Sequence, residues 1–176
     1  MCFTSEEYFL ANPSGSPQLT FQVGSIMACV RFKLPVSTLD LSSKVKQDPF
    51  AKLPYVAICK ILHQLPAGCL IDMLRASWTV YARVRDKHCF WKEALEKNMP
   101  WFYEVQELWR LGALRRPEHY RAIYLWAERT IWPRIFLSGP LMYVANRRRI
   151  WATAEVLADV YCGCFGTSVI PRWDED

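Results

Sequence analysis

The sequence contains little histidine and none of the short motifs that identify common catalytic sites. Only 3 of the 176 residues are His, and no H-E-x-x-H, G-x-S-x-G or P-loop pattern occurs. Each histidine is best assigned to a helix surface. Cys162-Gly163-Cys164 is the one close thiol pair, whereas zinc sites normally need two such pairs or a pair with nearby histidines. We therefore expect a protein that is not an enzyme, with no cofactor and no metal site.

The sequence also lacks long apolar runs and a secretory leader. No run approaches the roughly 20 apolar residues that cross a bilayer, and the N-terminus has neither the basic nor the apolar region of a signal peptide. The cysteines number 7, which is odd, and they are scattered along the chain. This usage fits reduced thiols. We expect a protein of the cytoplasm, the nucleus or both, without a membrane partner.

Positive charge is present but unevenly distributed. The formal net charge is +5, and the arginines are concentrated between Arg110 and Arg149. The densest cluster is Arg147-Arg148-Arg149, which is of the kind that binds phosphate groups. No recognised nucleic-acid motif accompanies it, so solvated faces of amphipathic helices are the favoured interpretation. A basic helical protein that associates with nucleic acid remains the alternative.

The N-terminal segment, residues 1–47, differs in pattern from the rest of the chain. Apolar residues alternate with period two from Leu19 to Val23 and again from Ile26 to Leu34, with Gly24-Ser25 between the two runs. Alternation around a two-residue turn is typical of a β-hairpin. We predict a hairpin here, with the rest of the segment partly disordered.

From Asp48 onward the pattern is helical. Leu53-Pro54 leads into a first short helix, because proline is tolerated at a helix start. Pro66-Ala67-Gly68 breaks that helix, and a second one follows at once. Apolar residues recur at helical spacing in both helices, and two such short helices cannot bury their own faces. The residues are Ile58, Ile61, Leu62 and Leu65 in the first and Leu70, Ile71, Met73 and Leu74 in the second.

The same period predicts further helices around Trp78, Phe90, Trp101 and Tyr120. A long helix is predicted from Ser138-Gly139-Pro140 to Gly163. Its buried side would consist of Ile150, Trp151, Ala154, Leu157, Ala158 and Tyr161. The predicted fold class is all-α, with a short helical module at 48–99, a helical extension at 100–163 and a C-terminal tail at 164–176.

The order of these features resembles the F-box, a small helical module of ubiquitin-ligase substrate receptors, and in particular its fungal type. Similar segments are Asp48-Pro49-Phe50 before Leu53-Pro54, Ala76-Ser77, Phe90-Trp91-Lys92, Met99-Pro100-Trp101 and the run 145–151. The resemblance covers about 48 to 161. Two departures occur. The family usually has Glu and then Leu or Ile where this chain has Val56-Ala57, and it more often has Arg at the place of Trp78.

The resemblance implies a non-catalytic substrate-receptor subunit of an SCF-type ubiquitin ligase. Such a subunit binds a Skp-family adaptor, and through it a cullin scaffold, while holding a protein substrate that this sequence does not identify. A truncated paralogue without function is a further alternative. Spacing alone fits an adaptor-binding stripe and a stripe packed in its own domain equally well. The implied adaptor-binding residues are Leu53, Pro54, Ile58, Ile61, Leu62, Leu65, Leu70, Leu74 and Trp91.

Overall fold

The computed structural model describes residues 17–29, 41–45, 47–113, 119–133 and 137–165. Within these ranges the chain forms 8 helices and no strand, which confirms the all-α prediction. The chain divides into two units, one spanning Gly15–Trp132 and one that includes residues from Pro133 onward. The helices are α1 Pro17–Cys29, α2 Tyr55–Gln64, α3 Ala67–Ala76, α4 Trp78–Val84, α5 His88–Asn98, α6 Tyr103–Arg110, α7 His119–Thr130 and α8 Pro140–Phe165.

The predicted hairpin is wrong over residues 17–29, where the chain forms α1. Leu19, Val23 and Met27 are spaced four residues apart and are buried. The segment therefore follows a helical period as well as the alternation. Helix α1 packs against α6. The approach is close at Gly24, where an added Cβ would lie 3.2 Å from a methyl carbon of Leu108. Residues 30–34 of the predicted hairpin lie outside the described residues.

Helices α2 to α5 form the short-helix module that the sequence predicts. Prolines precede the first two helices: Pro54 is the N-cap of α2, and Pro66 is the N-cap of α3. Both prolines have extended rather than helical φ and ψ angles, so each helix begins at the residue that follows. Helix α4 packs on α2 and α3, and α5 packs on α2. The apolar core of the module is made by Ile58, Leu62, Leu70, Val80, Val84, Phe90 and Trp91.

The packing continues across the predicted boundary between residues 99 and 100, because α5 lies against α7. The Trp91 and Tyr124 rings meet edge to face with centroids 5.5 Å apart. The Asn98 amide donates to the Tyr124 hydroxyl at 3.0 Å. Arg121 of α7 donates to the carbonyl oxygen of Arg85, just after α4, at 2.8 Å. The module and the first part of the extension therefore share one packed unit.

Helix α8 confirms the predicted long helix but not its predicted buried side. Gly139 has φ 72°, a conformation that favours glycine, immediately before the helix begins. The first turns bury Met142, Val144 and Ala145. The side predicted to be buried is instead half-exposed at Trp151 and exposed at Ile150, Ala154, Leu157, Ala158 and Tyr161. Most of the predicted tail, from residue 166, lies outside the described residues.

Candidate docking site

The corner at residues 48–54, hereafter the entry corner, is held by a carboxylate that reaches α4. One oxygen of Asp48 accepts from the backbone amide of Phe50 at 2.9 Å. The other accepts from the Ser77 hydroxyl at 2.8 Å and from the Thr79 amide at 3.1 Å. Ser77 is the N-cap of α4, and its oxygen accepts from the Val80 amide at 3.1 Å. Asp48 thus ties the start of the module to the start of its third helix.

These hydrogen bonds change the acidity of Asp48. Burial by itself would raise the pKa of the carboxyl group, but the bonds from Ser77, Phe50 and Thr79 stabilise the charged form more strongly and lower the pKa to about 2. The carboxylate therefore stays ionised throughout the physiological range. The stabilisation that the ionised carboxylate gives to the entry corner is lost only in strong acid.

A second tie joins the entry corner to α4 through an arginine. The Arg83 guanidinium donates to the carbonyl oxygen of Ala51 at 2.9 Å and also to that of Leu53. Because these two carbonyls belong to the turn just before Pro54, the arginine fixes the direction from which α2 begins. Five donors in a planar fork suit this double contact. The backbone of the corner is therefore anchored from both ends of α4.

The structure divides the predicted adaptor-binding residues into two sets. Pro54 and Ile61 are exposed, and Leu53 and Leu65 are half-buried. The others are buried in the packed unit and so are not surface residues in this conformation, because they form the core between the helices. The buried set consists of Ile58 1%, Leu62 0%, Leu70 0%, Leu74 9% and Trp91 1% exposed.

Trp91 shows most clearly how the buried set is enclosed in the packed unit. Its indole N–H donates to the carbonyl oxygen of Val84 at 2.9 Å, so its polar atom is satisfied inside the unit. Its ring meets Phe90 edge to face at a centroid distance of 5.3 Å. The His63 ring stacks on the same Phe90 at 5.3 Å. The expectation that Trp91 shares the docking face is therefore not met by the folded chain.

What remains on the surface is a narrow apolar strip, which we call the α2 strip: Pro54 and Ile61 with the half-buried Leu53 and Leu65. Pro54 and Ile61 are seven residues apart, so they lie within about 20° of each other on a helical projection. Val56 is 61% exposed and points away from the strip, roughly 160° from Pro54. Val56, one of the residues that depart from the family pattern, is therefore on a different side of α2.

Tyr55 lies at the edge of this surface and links α2 to α5. Burial and a hydrogen bond with Cys59 raise the pKa of the Tyr55 hydroxyl, and nearby Cys89 and Glu93 act in the same direction. The Lys87 ammonium lies 5.9 Å from the centroid of the Tyr55 ring, which is within cation–π range. Tyr55 is therefore a neutral phenol at physiological pH.

The contacts that hold the entry corner were not predicted from the sequence. Asp48, Ser77 and Arg83 carry no spacing signal toward one another, because each tie spans about thirty residues. A signal existed for Ser77, since serine immediately before a helical run is a favoured N-cap. Trp78, one of the departures from the family pattern, is half-buried, and its indole N–H donates to the Ser42 hydroxyl at 3.0 Å.

The alternative basic site is not an exposed patch. Arg147 is only 4% exposed, and Arg148 and Arg149 are half-buried. Two nitrogens of Arg149 donate to the Asn146 side-chain oxygen at 3.1 and 2.9 Å. A footprint for nucleic-acid phosphates needs guanidinium groups at the surface. This cluster therefore does not favour the nucleic-acid alternative.

The described ranges lack two other kinds of feature. In these ranges no helix is long and apolar enough to cross a membrane. Among the same residues, no three His, Cys, Asp or Glu side chains come together in a way that would hold a metal ion.

Comparisons with known proteins add no relative: no family model, no curated protein and no solved structure matches this chain. The family resemblance therefore rests on the motifs of the sequence itself. Besides those motifs, the chain has a tied entry corner and an exposed α2 strip.

Proposed function

We propose that this chain is an F-box-like subunit that binds a Skp-family adaptor through the α2 strip. In this role it would serve as a non-catalytic substrate receptor of a cullin-based ubiquitin ligase, acting in the cytoplasm or nucleus. The observation that carries the proposal is an exposed apolar strip along a helix whose entry is held by two long-range polar ties. The protein substrate is left unspecified.

The rigidity of the entry corner supports a docking role. Asp48 and Arg83 both bind the backbone of the turn between Pro49 and Pro54, in addition to the turn's own backbone hydrogen bonds. A surface that is already in its bound geometry loses less conformational entropy on association. Exposed apolar residues along a pre-ordered helix fit the helix-in-groove mode of recognition.

The size of the α2 strip limits the affinity it can supply. Fully burying one Leu or Ile side chain contributes about 1.5 to 3 kcal/mol. Association costs on the order of 4 to 15 kcal/mol, and Ile61 has only 36% of its surface left to bury. The strip therefore has little surplus, and losing any one of its apolar contacts should be detectable.

The test uses the purified full chain and a purified Skp-family adaptor. Ile61→Asp places a charge in the centre of the strip, and we expect at least a tenfold loss of affinity by calorimetry, because an unpaired carboxylate would be buried at the interface. Combining it with Leu53→Ala should abolish co-purification of adaptor and cullin from a cell extract.

Val56→Glu is the matched control. It places a carboxylate on the same helix, at a position that is 61% exposed, and it restores the residue type that the family usually has there. We expect binding to be retained or strengthened. The proposal is wrong if the unaltered chain does not bind the adaptor, or if Ile61→Asp binds as well as Val56→Glu.

A further inference from the structure

Two cysteines lie on the pair of packed helices α2 and α5. Cys59 is half-buried on α2, and Cys89 is exposed at the start of α5. Neither is in a disulfide bond. Cys59 points about 160° around α2 from Ile61, so any role of these thiols is separate from the docking proposed for the α2 strip.

Helices α2 and α5 run parallel to each other. At their starts, the Lys87 ammonium lies 5.9 Å from the centroid of the Tyr55 ring. Further along, Glu93 Oε2 lies 3.4 Å from His63 Nε2. Near their ends, the Lys97 ammonium donates to the His63 carbonyl oxygen. The contacts follow the same order along both helices, which fixes the parallel direction.

The two cysteines lie at the same level of this helix pair. On α2, Cys59 is midway between Tyr55 and His63, so it points toward α5 as they do. On α5, Cys89 is one turn before Glu93 and about 40° around the helix from it. Because Glu93 contacts His63 one turn further along parallel helices, the two thiols lie beside each other, with Cys89 at the solvent edge.

The Tyr55 hydroxyl brings both thiols into one cluster. It is hydrogen-bonded with Cys59, and Cys89 is near enough to help raise its pKa. The axes of packed helices lie about 8 to 10 Å apart, and each Cα lies about 2.3 Å from its axis. Cα atoms on the facing sides therefore come within the roughly 4.4 to 6.8 Å that a disulfide spans.

We propose that Cys59 and Cys89 form a reversible disulfide bond between α2 and α5 when the protein meets hydrogen peroxide. Cys89 is the more exposed thiol and reacts first. Its sulfur attacks one peroxide oxygen, the O–O bond breaks, and Cys89 becomes a sulfenic acid while water leaves. The Cys59 sulfur then attacks the Cys89 sulfur, and the S–O bond breaks as the S–S bond forms.

The two steps balance without any further reactant. In the second step the departing hydroxyl group takes the proton of the Cys59 thiol and leaves as a second water. Together the two thiols lose two electrons and two protons, and the peroxide is reduced to two waters. An excess of a small thiol such as glutathione reverses the bond by thiol–disulfide exchange.

The bond would close a loop of about thirty residues that contains all of α3 and α4. A disulfide stabilises a fold mainly by restricting the unfolded chain, and the effect grows with the length of the loop. The oxidised module should therefore resist unfolding at denaturant concentrations that unfold the reduced one.

The test treats the purified full chain with hydrogen peroxide, blocks the remaining thiols and maps the disulfides by mass spectrometry. We expect a linked pair of peptides that contain Cys59 and Cys89, and we expect dithiothreitol to separate them. The oxidised chain should unfold at a urea concentration about 1 M higher than the reduced chain.

Cys89→Ser changes an exposed side chain, so the variant should fold normally, and peroxide should move its urea midpoint by less than about 0.2 M. Cys69→Ser is the matched control, because Cys69 is also exposed but lies on α3. It should keep the linked pair and the full rise. In Cys59→Ser, Cys89 should stop at the sulfenic acid, which dimedone traps.

The proposal is overturned if peroxide leaves Cys59 and Cys89 unlinked in the folded chain, whether both stay reduced or Cys89 pairs with another cysteine. It is also overturned if Cys89→Ser shows the same rise in urea midpoint as the unaltered chain. The Ile61→Asp chain should still form the bond, so failure of the adaptor proposal and failure of this one give different results.

Discussion

Helix α2 and the second half of α8 carry apolar residues at the same helical spacing but differ in what covers them. In α2 the stripe is largely buried within the chain itself, with Ile58 1% and Leu62 0% exposed. In α8 a stripe of equal regularity stays at the surface, with Leu157 64% exposed. Regular spacing therefore identifies a face that needs covering, and it does not say whether the chain or a partner provides the cover.

The polar contacts of the two regions differ in the same way. Around α2, hydrogen bonds join residues about thirty positions apart, such as Asp48 with Ser77 and Arg83 with Ala51. In α8 the side-chain bonds described are local, such as Trp151 to Glu155 and Thr153 to the Arg149 carbonyl. The long-range bonds hold α2 in a tertiary frame, and the local bonds stabilise the helix in which they lie.

The largest expected effect on stability comes from truncating a buried residue of the α2 stripe. Leu62→Ala removes a side chain that is 0% exposed, and we expect the free energy of unfolding to fall by about 2 to 5 kcal/mol, because a cavity remains in the core. Leu157→Ala, measured by urea unfolding at dilute concentration, should change it by less than about 0.5 kcal/mol. Equal effects would show that the two stripes are buried alike.

A smaller effect is expected at the carboxylate that holds the entry corner. Asp48→Asn keeps the shape but removes the charge that Ser77 and the backbone stabilise, and we expect a loss of about 1 to 2 kcal/mol at neutral pH, allowing for partial solvent exposure. Ser77→Ala should cost a similar amount, as losses of N-caps do. The combined variant should lose less than the sum of the two losses, because both substitutions remove the hydrogen bond that Ser77 and Asp48 share.

The pH dependence of the same carboxylate gives an independent check. The folded pKa of Asp48, about 2, lies below the ordinary value of 3.8. Its stabilising contribution is therefore fully present above about pH 4 and is lost as the pH falls from about 4 to about 2. Acid titration followed by circular dichroism should show Asp48→Asn losing less stability than the unaltered chain across this window. Parallel curves would contradict the assigned hydrogen bonds.

The smallest effect tests the edge of the packed module. Trp78→Phe keeps most of the ring contact with Tyr81, whose centroid lies 5.5 Å away, but removes the donor to Ser42. Because the indole is half-buried, water can replace the lost partner, and we expect a loss of about 0.5 to 1 kcal/mol by urea unfolding. A loss above about 2 kcal/mol would mean that the segment around Ser42 is held mainly by this bond.

The helices from α2 onward were predictable because their periods are strong and prolines bound them. Pro54 and Pro66 precede two of them, and Gly139 stands before the long one. Helix α1 was missed because Leu19, Phe21 and Val23 satisfy a period of two, while Leu19, Val23 and Met27 also satisfy a helical one. Packing against α6 selects the helical pattern, and no local feature of the sequence indicates that contact.

The candidate docking site was predicted in part. Pro54 and Ile61 are exposed as expected, whereas Ile58 and Leu62 turn inward. The side chains of Ile61 and its neighbour Leu62 point in directions about 100° apart around the helix. Which of the two faces the core depends on where α4 and α5 pack, and the spacing of the stripe is the same in either case.

By itself, the sequence determined the helical class, the helix starts after Pro54 and Pro66 and the two apolar stripes, because these depend on contacts within a few residues along the chain. Only the tertiary structure decided which stripe is covered, which of its residues reach the surface, and that Asp48 and Arg83 hold the entry corner. The physical reason is that burial and long-range hydrogen bonds depend on helices brought together from distant parts of the chain. The spacing of apolar residues within one helix does not specify which distant helix packs against it.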